Sequence, residues 1–109
     1  MKSEARIQQE IVIWFNNEHP TLRGTLCYNN NNSVGGRRGN INKYLGVVAG
    51  RSDMVLYYKG VAYMIELKNE IGSQQPEQKV WQKLMESHGF PYHIIRSLEE
   101  FQELIKTIL

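Results

Sequence analysis

The sequence predicts an α/β fold, in which a mixed central sheet is flanked by helices within a single domain, residues 1–109. Short apolar runs that fit strands alternate along the chain with segments whose apolar residues repeat at helical spacing. One hairpin gives antiparallel neighbours, and a helix that follows the central strand and leads to another strand forms a right-handed crossover between parallel neighbours. A chain of 109 residues suits one hydrophobic core.

The N-terminal part is predicted to contain a helix over residues 3–17, ended by His19-Pro20, and a short strand over residues 25–28. The helix presents one apolar stripe, formed by Ile7, Ile11, Trp14 and Phe15. Residues 29–40 are polar and rich in asparagine and glycine, so a mobile loop is expected there. A short helix is expected over residues 41–45, ended by Gly46.

A hairpin follows, with strands over residues 53–58 and 61–66 and a turn at Lys59-Gly60. If the turn has two residues, Tyr58 pairs with Val61, and the same register places Asp53 opposite Glu66. The Cβ atoms of such a pair lie about 5 Å apart. A slip of one residue would move Asp53 to the other face of the sheet, so this prediction depends on the turn.

The C-terminal part is predicted to contain a helix that begins at Pro76 and stops at Gly89, a strand over residues 92–96, and a last helix. Ser97 and Glu100 form a capping box that opens the last helix. The residues expected to face the core are Trp81, Leu84, Met85 and His88 in the first of these helices and Phe101, Leu104, Ile105 and Ile108 in the second.

Composition and charge exclude several classes of protein. No apolar run approaches the roughly 18 residues of a membrane span, and no secretory signal opens the chain. The single cysteine, Cys27, excludes an internal disulfide and is expected to be buried, and a cytoplasmic location is expected. His88 has no second histidine at ligand spacing, so a zinc site is not expected. The formal net charge of +2 does not by itself indicate nucleic-acid binding.

The triplet Glu66-Leu67-Lys68 ends an apolar strand, and alternate residues of a strand point to the same face. Glu66 and Lys68 therefore project together, and Asp53 adds a second carboxylate beside them. Two close carboxylates repel each other unless a cation lies between them, and hard oxygen ligands suit Mg²⁺ or Mn²⁺. Without Asp53, the triplet would be typical of a solvated strand face.

Two further groups of residues have both a functional and a structural interpretation. Glu4 and Gln8 fall beside the apolar stripe of the first helix, where they could reach a site, although Glu4 could simply favour the helix dipole. Four basic residues lie in a segment without acids and could contact phosphates, although they could equally belong to a solvated loop: Arg37, Arg38, Lys43 and Arg51.

The ordered motifs resemble the virus-type replication-repair nuclease branch, VRR-NUC, of the PD-(D/E)xK nucleases. Four patterns carry the resemblance: E-x-x-x-Q from Glu4 to Gln8, a Gly-x-Pro-Asp turn from Gly50 to Asp53, E-L-K from Glu66 to Lys68, and Q-x-x-W from Gln78 to Trp81. Ser52 stands where the family usually has proline, which is expected to loosen the turn.

The resemblance implies a restriction-endonuclease-like fold and metal-dependent phosphodiester hydrolysis. Small members of the branch resemble phage proteins that act on branched DNA as homodimers, which would place this chain in a bacterial cytoplasm. The implied metal ligands are Asp53, Glu66, the Leu67 carbonyl and Glu4, with Mg²⁺ or Mn²⁺ as cofactor.

The other functional residues follow from the same resemblance. Lys68 is expected to orient water or offset phosphate charge, and Gln8 and Gln78 to hold water or phosphate. Lys79 joins the four basic residues as a DNA contact, and the N-terminus of its helix is expected to seat a phosphate. A sequence-specific restriction-type endonuclease and a DNA-binding module without catalysis remain the alternatives to cleavage of four-way (Holliday) junctions.

Overall fold

The structure, a computed structural model, describes residues 1–30 and 44–109. Arg37, Arg38, Lys43 and most of the predicted loop and short helix lie outside the described residues. The elements, in chain order, are α1 (Glu4–Glu18), a 3₁₀ turn (Pro20–Leu22), β1 (Leu26–Tyr28), β2 (Met54–Tyr58), β3 (Val61–Leu67), α2 (Pro76–Ser87), β4 (Tyr92–Ile95) and α3 (Leu98–Ile108).

The predicted hairpin register is confirmed. Tyr58 pairs with Val61 and Met54 pairs with Ile65 in the antiparallel β2–β3 ladder. The turn has two residues, Lys59 and Gly60, with φ angles of 47° and 81°. Positive φ at both positions matches the twist of the flanking strands, so the turn sets the register.

The sheet is mixed and has the order β1-β2-β3-β4. β3 is antiparallel to β2 and parallel to β4, and α2 connects β3 to β4. The predicted fold class is therefore confirmed, and β3, which carries Glu66, is a central strand with a neighbour on each side.

Two hydrophobic clusters lie on opposite faces of the sheet. The larger one packs α1 and α3 against one face, and the residues that fill it include Ile11, Phe15, Leu56, Ile65 and Phe101. The smaller one packs α2 against the other face through Val55, Met64, Trp81 and Tyr92. Glu66 shares this second face with Met64, because side chains two residues apart on a strand point the same way.

The helix ends follow from their capping side chains. α1 begins at Glu4 rather than at residue 3, because Ser3 is its N-cap and accepts a hydrogen bond from the Arg6 backbone N–H at 3.1 Å. Ser97 caps α3 in the same way, by accepting from the Glu100 N–H at 3.1 Å. The Glu100 carboxylate accepts from the Arg96 N–H, one residue before the cap, and not from the Ser97 N–H. The Ser97 half of the predicted capping box is therefore confirmed, and the return hydrogen bond is shifted by one residue.

Three burial predictions are wrong. Leu84 is 49% exposed and His88 is exposed, because α2 contacts the sheet along a narrower stripe centred on Trp81 and Met85. Cys27 is only half-buried, since β1 is an edge strand and α2 does not reach across to it. Its thiol donates to the Gly24 carbonyl at 3.4 Å.

In residues 1–30 and 44–109 no helix combines the length and apolar character that a membrane crossing requires.

Candidate active site

The two predicted carboxylates meet at the end of the β2–β3 hairpin. Asp53 directly precedes β2, and the register that pairs Met54 with Ile65 places it opposite Glu66 when extended by one residue. The Leu67 backbone N–H donates to Asp53 Oδ2 at 2.7 Å, which fixes the Asp53 side chain across the ladder. Asp53 and Glu66 are therefore the next residues beyond the last pair of the ladder, and their charges interact.

Glu66 is completely buried, and its two carboxylate oxygens have different surroundings. Oε1 accepts from the Tyr92 hydroxyl at 2.5 Å and from Gln74 Nε2 at 3.0 Å. Oε2 is also buried but has no hydrogen-bond partner among the described residues. A buried carboxylate oxygen without a partner is destabilising, so this atom is in a position that suits a ligand.

Lys68 lies on the same face as Glu66 and is only 6% exposed. Its ammonium donates to Gln78 Oε1 at 2.9 Å, which connects β3 to the first turn of α2. The same Gln78 oxygen accepts from the Gln75 backbone N–H at 2.8 Å as part of a capping box. Gln78 therefore orients Lys68 and caps the helix at once.

The capping box formed by Gln78 reduces the number of backbone N–H groups that could bind a phosphate at the N-terminus of α2, where phosphate binding was expected. The box engages the N–H groups of Gln75 and Gln78, and Pro76 has none to offer. The first turn of α2 therefore has few backbone donors left, and its attraction for a phosphate rests mainly on the helix dipole.

Glu4 reaches the site from the first turn of α1. A β-carbon added at Gly72 would lie 3.6 Å from Glu4 Oε2 and 3.5 Å from Lys68 Cδ, so both side chains lie beside this glycine. The charge of Glu4 also acts on Asp53. α1 packs on the opposite face of the sheet, so Glu4 approaches from the sheet's end.

Several acidic groups lie close together at this site, and their proximity shifts the pKa of Asp53 and of Tyr92. Burial raises the pKa of the Asp53 carboxyl, and the charges of Glu4 and Glu66 raise it further, against the lowering effect of the Leu67 N–H and Lys68. Burial and the hydrogen bond to Glu66 also raise the pKa of the Tyr92 phenol well above its ordinary value. Tyr92 therefore stays a neutral donor to Glu66 near neutral pH.

The turn before Asp53 packs closely against α2. Gly50 has a φ of 83°, and a β-carbon at this position would collide with the Glu77 backbone carbonyl. Ser52 is fully buried, and its hydroxyl donates to the Met54 carbonyl at 3.0 Å. Asn29 adds two further hydrogen bonds, to the carbonyls of Ser52 and Asp53. The residue that departs from the proline of the motif is thus tied into the turn by a bond that proline could not make.

The remaining predicted residues are less closely connected to the carboxylates. Arg51 is half-buried and lines a hollow of about 290 Å³ with Asp53 and Gln78, and Lys79 is exposed in the first turn of α2. Gln8 lies in a groove between α1 and Tyr28, and no hydrogen bond within the described parts of the chain joins it to the carboxylates. Its supporting function stays a prediction.

The structure adds four residues that the sequence did not single out. Tyr92 and Gln74 hold Glu66, and Gln82 accepts from Gln74 Nε2 at 2.7 Å. Arg96 donates to the carbonyls of Asn69 and Gly72, both at 2.7 Å, and so anchors the loop that follows Lys68. The E-L-K triplet alone gave no signal for these contacts, because each of them joins residues that are eight or more positions apart in sequence.

The oxygen atoms around Asp53 and Glu66 are the candidate ligands for a cation. Across residues 1–30 and 44–109, no group of three or more His, Cys, Asp or Glu side chains is arranged to hold a metal ion. A cation at this place would therefore depend on two carboxylates, Asp53 and Glu66, supplemented by a backbone carbonyl and water. Oxygen-only sets of this kind, with few protein ligands, suit Mg²⁺. The buried, unpartnered Glu66 Oε2 fits such a ligand.

Comparison with known proteins gives a match in structure but none in sequence. No protein-family model and no curated protein matches the chain. One solved structure, named a VRR_NUC domain protein, is similar with a TM-score of 0.79 and 15% identity, over 98% of this chain and 88% of the other. A second, named VRR_NUC domain, has a TM-score of 0.62 and 19% identity, over 97% of both chains. The chain therefore has the VRR-NUC fold that these two structures share.

Proposed function

We propose that this protein is a divalent-cation-dependent endodeoxyribonuclease that hydrolyses phosphodiester bonds in branched DNA such as four-way junctions. The observation that carries the proposal is the arrangement at the end of the hairpin. Asp53 and Glu66 directly follow the last pair of the hairpin ladder, and the charges of Glu66 and Lys68 act on Asp53. Glu66 Oε2 is buried and has no hydrogen-bond partner in the described parts of the chain. The nuclease-type fold supports the same reaction class.

Three groups would hold the cation directly: the carboxylates of Asp53 and Glu66 and the carbonyl of Leu67. Glu4 would contribute through a water molecule, because no third carboxylate in the described parts of the chain is placed to coordinate with these two. Asp53 and Glu66 are positioned by the Leu67 N–H and by Tyr92 and Gln74 respectively. When bound, Mg²⁺ or Mn²⁺ would offset charge on the scissile phosphate and make hydroxide available near neutral pH.

Lys68 would supply a fixed positive charge next to the reacting phosphate. Its ammonium is held by Gln78 on the face that carries Glu66. A fixed positive charge at this point would orient the attacking water or stabilise the charge that develops on the phosphate in the transition state. Burial strengthens this effect, because few water molecules screen the charge.

DNA would approach over the start of α2 and the turn before Asp53. Arg51 and Lys79 supply positive charge on that side, and Arg37, Arg38 and Lys43 belong to the segment outside the described residues. Phosphate contacts of this kind position a duplex but do not read its sequence. We therefore rank cleavage that depends on DNA structure above sequence-specific restriction.

Resolution of a four-way junction requires two symmetric cuts, whereas one hydrolytic site cuts one strand. A homodimer with a two-fold axis would present two such sites at a fixed distance. The proposal therefore includes a dimer, and sedimentation at micromolar concentration tests it. A protein that stays monomeric and cuts only flaps or single-stranded ends would contradict the junction substrate and leave the hydrolytic site intact.

The test of the proposed reaction is incubation with end-labelled linear, flap, splayed and four-way DNA in Mg²⁺, Mn²⁺ or EDTA. We expect cleavage of the four-way junction with either cation and none in EDTA. Asp53→Asn, Glu66→Gln and Lys68→Met should each abolish cleavage, while Lys59→Met, at the exposed turn of the same hairpin, should cut at the wild-type rate.

Two results would contradict the proposal. If Asp53→Asn and Glu66→Gln both cleave DNA at the wild-type rate, the two carboxylates do not take part in the reaction. Tight junction binding by the wild-type protein, with no cleavage in either cation, would favour the DNA-binding module that lacks catalysis.

A further inference from the structure

We propose that Tyr92 and Gln74 select the bound cation by restricting Glu66 to a single coordinating oxygen. The inference rests on the proposed function, because it assumes that Glu66 binds a divalent cation. It adds that two residues outside the motifs determine which cation binds. Small cations with octahedral coordination would be favoured, and Ca²⁺ would be disfavoured.

The two carboxylate oxygens of Glu66 differ in their hydrogen bonds. Oε1 accepts two hydrogen bonds, one from the Tyr92 hydroxyl and one from Gln74 Nε2. A carboxylate oxygen has about two lone-pair positions, so both positions of Oε1 are filled by donors. Oε2 has no partner in the described chain. A cation can therefore coordinate Oε2 without displacing a protein donor, but not Oε1.

The side-chain amide of Gln74 is held in one orientation. Its Nε2 group lies between two acceptor oxygens, Glu66 Oε1 at 3.0 Å and Gln82 Oε1 at 2.7 Å. If the amide were reversed, its carbonyl oxygen would face both acceptors and repel them. Gln82 on α2 thus fixes the orientation of Gln74, and Gln74 in turn keeps a donor on Glu66 Oε1.

The Glu66 carboxylate cannot rotate away from these two donors. Glu66 is fully buried, and Tyr92 is 9% exposed and packs against Trp81, with 6.0 Å between the ring centroids. Close packing keeps the phenol in place, so its hydroxyl remains aimed at Oε1. The donors and the carboxylate form one rigid unit between β3, β4 and α2.

The chemical consequence follows from how the cations use carboxylates. Ca²⁺ takes six to eight oxygen ligands and often binds a carboxylate through both oxygens, whereas Mg²⁺ requires a near-octahedral set and binds through one or two carboxylates plus water. A Glu66 that offers only Oε2 supplies one ligand. This restriction removes the bidentate geometry that Ca²⁺ commonly uses and leaves the monodentate geometry that suits Mg²⁺ or Mn²⁺.

The experiment measures cation binding without DNA or cleavage, by calorimetric titration of the protein with Mn²⁺ and separately with Ca²⁺. Tyr92→Phe removes only the hydroxyl, and Gln74→Met removes the amide donor at similar volume. Tyr63→Phe, a half-buried tyrosine of β3 that packs on the other cluster, is the matched control. Thermal unfolding in EDTA establishes that each variant is folded.

We expect the double variant Tyr92→Phe/Gln74→Met to bind Mn²⁺ about tenfold to a hundredfold more weakly, the range found when partners of metal ligands are removed. Ca²⁺ affinity should fall less or rise, so the ratio of Ca²⁺ to Mn²⁺ affinity should increase about tenfold. If the double variant is poorly folded, the single Gln74→Met variant should shift the ratio in the same direction, because Gln74 is only half-buried.

Two outcomes would overturn the inference in different ways. If the wild-type protein binds Mn²⁺ but the variants lose Mn²⁺ and Ca²⁺ affinity equally, Tyr92 and Gln74 are structural residues, and the proposed function survives. If the wild-type protein binds neither cation, the proposed cation site fails and the selection inference fails with it.

Discussion

Replacement of Gly50 by alanine should destabilise the protein more than the same replacement at Gly60, although both glycines have nearly the same positive φ angle. Their φ angles are 83° and 81°. A β-carbon at Gly60 has no heavy atom within 4 Å, whereas one at Gly50 collides with the backbone carbonyl of Glu77. The pair therefore separates the effect of conformation from the effect of contact between this turn and α2.

The magnitudes follow from these two effects. An alanine with positive φ costs about 1–2 kcal/mol, and this applies to both variants. At Gly50 the obstructing atoms belong to the backbone and cannot move aside by rotation of a side chain, so overpacking adds about 1–3 kcal/mol. We expect Gly60→Ala to lower the free energy of unfolding by about 1–2 kcal/mol and Gly50→Ala by about 2–5 kcal/mol.

Urea denaturation in EDTA, followed by fluorescence of the two tryptophans, measures both values without a contribution from bound cation. Since Gly50 lies three residues before Asp53, Gly50→Ala should also weaken Mn²⁺ binding, and Gly60→Ala should not. If the two variants are equally destabilised and bind Mn²⁺ with equal affinity, the packing of this turn against α2 does not position Asp53.

Three further predictions test the electrostatics of the site. In EDTA the folded protein should lose stability as the pH rises from the ordinary Asp pKa of 3.8 through the raised pKa of Asp53, because the folded state holds that proton more tightly than the unfolded chain. Asp53→Asn should flatten this loss when thermal unfolding is followed as the pH rises above 3.8, and an unchanged loss would contradict the assignment to Asp53. Glu4→Gln should weaken Mn²⁺ binding measured by calorimetry, whereas Glu10→Gln should not, because Glu10 pairs with Lys2 and Arg6 away from the carboxylates; equal affinities would remove Glu4 from the site. The logarithm of the affinity for a four-way junction should fall linearly with the logarithm of the salt concentration, with a slope of about −0.9 per phosphate contact. Arg51→Ala should reduce the slope by about one contact. An unchanged slope would show that Arg51 does not contact DNA.

The sequence predicted the pairing of Asp53 with Glu66 because an antiparallel hairpin obeys a simple rule. Once a two-residue turn is located at Lys59-Gly60, every pair in the ladder follows. The motif around Gln78 could be placed for a similar reason, since it lies within a helix that starts at a recognisable proline. Local rules therefore sufficed for the parts of the site that lie near each other in sequence.

Tyr92 could be predicted as a strand residue but not as a partner of Glu66. Its strand is parallel to β3 and is reached through a crossover helix, so no turn sets the register between them. The burial errors at Leu84 and Cys27 have a related cause, because helical spacing and strand pattern do not show how much of the sheet α2 covers. Packing between distant elements decided these positions.

The central claim is that a divalent cation binds between Asp53 and Glu66 Oε2. The most direct test is an anomalous difference map from crystals of the protein soaked in Mn²⁺. We expect a peak about 2.1 Å from Glu66 Oε2 and from a carboxylate oxygen of Asp53, with the Leu67 carbonyl as a third ligand and Glu66 Oε1 still bound to Tyr92. The claim would be contradicted if the map shows Mn²⁺ at other positions, which proves that the ion entered the crystal, but no peak between these two carboxylates.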